Sequence, residues 1–73
     1  MHDPKPTTRV HDPKPEHGWG TAVEVIVALI YALYGDGPTH LAFVRWDNGN
    51  GSWIDLARED LTWENFNALE IPA

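Results

Sequence analysis

TAVEVIVALIYAL, residues 21–33, is the stretch whose reading decides the fold. With a period of two, the odd positions carry Val23, Val25, Val27, Leu29, Tyr31 and Leu33, all large and apolar. The even positions carry Ala22, Glu24, Ile26, Ala28, Ile30 and Ala32, which are smaller or mixed. That alternation is the pattern of a strand with one face toward a core. A helix could draw on Val23, Ile26, Val27, Ile30 and Leu33. Against it stand the five β-branched residues between positions 23 and 30, and Gly18 and Gly20 ahead of the segment in place of a capping side chain.

Downstream, Gly35, Gly37 and Pro38 make a dense turn signal. The run THLAFVRWD, residues 39–47, then predicts a second strand, with Leu41 and Phe43 on one face and Ala42, Val44 and Trp46 on the other. Asn48-Gly49 predicts a tight hairpin of type I′, because Asn-Gly readily supplies the positive φ that such a turn needs. Residues 52–56 follow as a third strand, and AREDL, residues 57–61, predicts one short helical turn. In residues 61–72, Trp63 and Phe66 sit at helical spacing and a short closing strand ending at Pro72 fits equally well; context favours the strand, since a meander this small needs another strand to cover an edge.

Upstream, four Pro fall within the first 15 residues, and HDPKP at 2–6 returns at 11–15. Its prolines lack the P-x-x-P spacing read by polyproline receptors. Residues 1–17 are therefore expected to be a flexible Pro-rich arm, a duplicated leader ahead of a domain at 18–73. A fragment beginning at Val10 or His17 is expected to fold as well as the whole chain.

The 73 residues allow one small domain, and the absence of Cys removes disulfides and thiolate zinc sites as staples. The formal charge of −6 is unevenly spread: residues 1–17 balance to zero, and beyond them Arg45 and Arg58 face eight acids. Such a surface repels phosphate backbones, so no direct nucleic-acid binding is expected; it suits a basic protein partner. The 13-residue apolar run at 22–34 contains Glu24 and falls short of a membrane span of about 20 residues. No membrane contact and a cytoplasmic location are expected.

Around the hairpin, Phe43-Val-Arg-Trp-Asp-Asn-Gly-Asn-Gly-Ser-Trp-Ile-Asp-Leu56, followed by Glu59-Asp60-Leu61, resembles the later strands of SH3-like small barrels of the Tudor and KOW type. The resemblance covers residues 18–64 and implies an all-β barrel of four or five antiparallel strands. Asp47, Gly49 and Asn50 match the Tudor Asp-Tyr-Gly-Asn turn, whereas Asn48 stands where that family places a cage aromatic. The resemblance thus carries over no complete methyl-lysine or methyl-arginine cage. Trp19, Tyr34, Trp46 and Trp53 are the remaining candidate rings.

Phe43, Trp53 and Trp63 are assigned to core or sheet packing, since a small sheet needs large side chains. Trp46, Asp47, Tyr34, Trp19 and Tyr31 are the candidate partner-binding residues, exposed aromatics rimmed by acid. No catalytic residue is expected: there is no Gly-rich phosphate loop, and the single Ser, Ser52, has no partner nearby in sequence. His40 could pair with Asp36 or Asp47, but a water-facing His at a strand end is the simpler reading. No metal site and no cofactor are expected, because His2, His11 and His17 lie on the arm. The function expected is that of a small acidic, non-catalytic interaction module, an adaptor or an inhibitor. The alternatives are a self-assembling component, such as a small phage virion protein, or an acidic DNA mimic.

Overall fold

The structure, a computed structural model, describes residues 7–28 and 39–72. Five strands, β1 (Thr8–Asp12), β2 (Gly18–Ala28), β3 (Thr39–Trp46), β4 (Gly51–Asp55) and β5 (Thr62–Glu64), form one antiparallel sheet in the order β4-β3-β2-β1-β5. A 3-10 turn at Phe66–Ala68 follows β5. The alternation of residues 21–28 is realised as strand; residues 29–34, with Tyr31 and Tyr34, lie outside the described residues.

β2 does not keep one face throughout. Its ladder with β3 shifts between Ala22 and Glu24, so Ala22 points inward with Val44, and beyond Val23 the inward residue is Val25, opposite Ala42. The extra residue bends the strand and moves the inward side from even to odd positions. The core on the inner face is Val10, Ala22, Ala42, Val44, Trp46 and Ile54, with Val25, Leu56, Leu61, Trp63 and Leu69 packed against its margin.

Gly20 permits the tightest packing in the sheet. It lies between Val10 on β1 and Trp46 on β3, and a Cβ there would come within 2.7 Å of the Trp46 indole and 2.9 Å of the Arg45 carbonyl oxygen. The indole could shift, but the carbonyl belongs to the ladder and cannot.

Three expectations are corrected. Residues 7–17 are not an arm: β1 pairs with β2 on one side and β5 on the other, and it supplies Val10, which is fully buried. Proline punctuates this segment without breaking the strand, because Pro13 and Pro15 fall in the turn after Asp12. Second, residues 56–60 form turns rather than a helix, anchored by Arg58 N–H on the Asp55 carbonyl, and the helical turn lies at 66–68 instead. Third, the Asn-Gly hairpin has a three-residue loop. The Gly49 N–H closes on the Trp46 carbonyl, Gly49 takes φ 95°, and Asn48 keeps a negative φ while its Oδ1 accepts the Asn50 N–H.

Two outcomes follow from β1 and Gly20. A fragment of residues 7–73 should unfold cooperatively in urea, whereas one of residues 18–73 should show no folded baseline by near-UV circular dichroism. Gly20→Ala should lower stability by roughly 1–3 kcal/mol, the usual cost of overpacking a tight site, read as a lower urea midpoint at unchanged slope.

Candidate functional site

Asp12 ends β1 with its side chain wholly covered. Its two oxygens accept a bidentate pair from Arg58, Nη1 to Oδ2 at 2.9 Å and Nη2 to Oδ1 at 3.0 Å. Oδ1 also accepts the Lys14 N–H at 3.1 Å, and His17 Nδ1–H donates to Oδ2 at 2.8 Å. Burial alone would push the Asp12 carboxyl up, but the hydrogen bonds from Arg58, His17 and the Lys14 amide outweigh it and hold the group well below the usual carboxylate range. Arg58 is raised in turn by Asp12 and by Asp60, whose Oδ2 lies 2.6 Å from Nη2.

The network continues past His17. Its ring stacks on Trp46 at 4.1 Å and 4° between planes, and Nε2 faces the Ser52 hydroxyl at 3.3 Å. Ser52 Oγ also accepts the Trp46 indole N–H at 2.8 Å. Asp12, His17 and Ser52 thus stand in the acid, base and hydroxyl order of a nucleophilic triad, joined from positions 35 residues apart that no local motif links. The surroundings favour a structural role: Arg58 neutralises the acid, and the indole occupies the hydroxyl oxygen. Of this network only Trp46 lines one of the main grooves, beside Phe43 and Gly51; another groove lies between Thr8 and Val25.

The predicted contact residues separate. Trp46 is 3% exposed and belongs to the core, which corrects its assignment as a contact. Small Ala42 and Val44 share its face and leave space for the indole. Asp47 is exposed, but both its oxygens are held by Arg9 at 2.9 and 2.6 Å, and this pair lowers Asp47 and raises Arg9. Trp19 is exposed beside the His11 ring at 5.1 Å. Trp53, assigned to packing, is 43% exposed.

A different apolar face emerges on the outside of the sheet. Phe43 is directly opposite Glu24 on β2 and Trp53 on β4, and Leu41 is opposite Ile26 and Asp55. The Phe43 and Trp53 rings meet at 5.1 Å and 58°. Gly51 adjoins them without a side chain, and a Cβ there would come 2.8 Å from the Phe43 ring tip. Ile26 and Trp53 are exposed, and Leu41 and Phe43 are half-buried between them.

No family model matches this chain, and neither does any curated protein or solved structure. Among the described residues no group of three or more His, Asp or Glu is placed to hold a metal ion, and no helix is long and apolar enough to cross a membrane.

The Asp12 junction predicts a pH dependence of fixed sign. The carboxyl is depressed in the folded state against about 3.9 unfolded, so its contribution is complete above about pH 4 and is lost as pH falls toward the folded value. Asp12→Asn should cost about 3 kcal/mol at neutral pH, the low end for breaking a buried pair because Arg58 is partly exposed and keeps Asp60 as a partner. It should also flatten the stability profile below pH 4 in acid titrations followed by circular dichroism.

Proposed function

We propose that the chain is a small non-catalytic docking module, built as an SH3-like barrel, that engages a protein partner through the outer face of β2, β3 and β4. The observation that carries this reading is the cluster of Phe43, Trp53, Ile26 and Leu41 on the side of the sheet away from the core, with Trp53 and Ile26 exposed and Phe43 and Leu41 half-buried among the described residues. Aromatic anchors at the centre of a patch with charged residues around it have the make-up of an interaction hot spot. Glu24, Arg45 and Asp55 supply that border.

The barrel reading draws support from the sheet itself. A single antiparallel layer with its core on one face curls to cover that core where, among the described residues, no α-helix packs on it, and the bulge in β2 supplies the bend. Both outermost strands are short, five and three residues, as suits strands that close an end rather than extend a flat sheet.

Trp53→Ala and Phe43→Ala test the docking face. Each should retain the wild-type near-UV signal from the buried Trp46. Each should lose at least about tenfold of whatever protein the wild-type chain captures from its native extract, the size expected for removing a hot-spot aromatic. Undiminished capture by both variants would overturn the reading.

A further inference from the structure

We infer that the outer face of β2, β3 and β4 takes a short cationic segment of a partner protein, with a Lys or Arg side chain seated on the Phe43 and Trp53 rings and countered by Glu24. The inference rests on the docking reading and adds the chemistry of the partner.

Size argues for a segment rather than a second folded copy. Three strands at about 4.8 Å spacing and four residue steps of about 3.4 Å give a face of about 10 by 14 Å. That footprint is about the width and length of one short extended segment. One extended peptide lying along β3 covers it.

Charge selects the kind of segment. Glu24 is exposed, stands directly across from Phe43, and makes no ion pair among the described residues. Asp55 adjoins Leu41 on the other flank. A cation over an aromatic face is attracted by the ring quadrupole, and a carboxylate beside the ring adds to that attraction. Arg45, the next outward residue of β3, repels a cation at the opposite end and so sets the direction of the segment. The net charge of −6 reinforces the choice at long range.

Three octapeptides serve as probes: alternating Arg and Leu, the same with Gln for Arg, and the same with Glu for Arg. Each is titrated into the ¹⁵N-labelled full chain while amide and indole shifts are followed. The Arg peptide should shift Glu24, Leu41, Phe43 and the Trp53 indole. Its affinity should fall about fivefold with Gln in place of Arg or with Glu24→Gln in the protein, and it should weaken with salt. Equal binding by the Gln peptide, shifts confined to other residues, or a concentration-dependent dimer through this face would each overturn the cationic assignment. If no peptide perturbs the face while Trp53-dependent capture persists, the partner class fails and the docking reading stands. If Trp53→Ala also leaves capture intact, the docking reading itself fails.

Discussion

The carboxylate of Asp12 is the constraint on which the rest of the structure depends. A buried charge is tolerated only when neighbours replace its water, and here one acid gathers three donors: Arg58 in the turn after β4, and the Lys14 amide and His17 in the turn between β1 and β2. Meeting those demands fixes β1 against the 56–60 turn, and the stacked His17 carries the restraint into the core at Trp46. Outside this junction the same edge is stitched by the Thr8 hydroxyl on the Asn65 carbonyl and by Asn65 Nδ2 on the Thr7 carbonyl. The sheet is thus held together by polar contacts at its periphery as much as by a core of modest side chains.

Local pattern made the meander legible and left its partners hidden. The alternation of residues 21–28, the two faces of residues 41–46 and the hairpin after Trp46 could all be read because each depends on neighbours in sequence. The role of Asp12 could not. HDPKP occurs twice with the same five residues, and the copy that ends β1 is distinguished by His17, five positions on from Asp12, and by Arg58, 46 positions away. One signal was present: an Asp followed by Pro-Lys can accept the N–H two residues on, as Asp12 does from Lys14.

The aromatic residues exchanged roles for a reason of volume. Trp46 and Trp53 lie on opposite sides of the same hairpin, and the inner side already holds Ala42 and Val44, whose small size leaves the core underfilled without a large ring. Trp46 fills it, and its indole N–H finds Ser52, which removes the penalty of burying a donor. Trp53 is turned outward by the two-residue alternation and packs on Phe43. Face assignment alone placed these side chains in two groups; deciding which group faces inward required knowing how much space the opposing strands leave.

The separation in sequence of the contacts that hold β1 bears on how quickly the chain reaches its native state. The Thr8 to Asn65 and Arg58 to Asp12 bonds span 57 and 46 positions. Closing loops of that length costs entropy before any contact repays it, so pairing of β1 with β5 belongs late in folding, after the local hairpins of β1 with β2 and of β3 with β4. During synthesis β1 emerges 46 positions ahead of Arg58, the residue that neutralises Asp12. Until then the acid lacks its Arg58 partner and the β5 side of β1 stays open. High contact order in so short a chain makes the nascent protein vulnerable at that edge, where a chaperone or a second nascent chain could pair first.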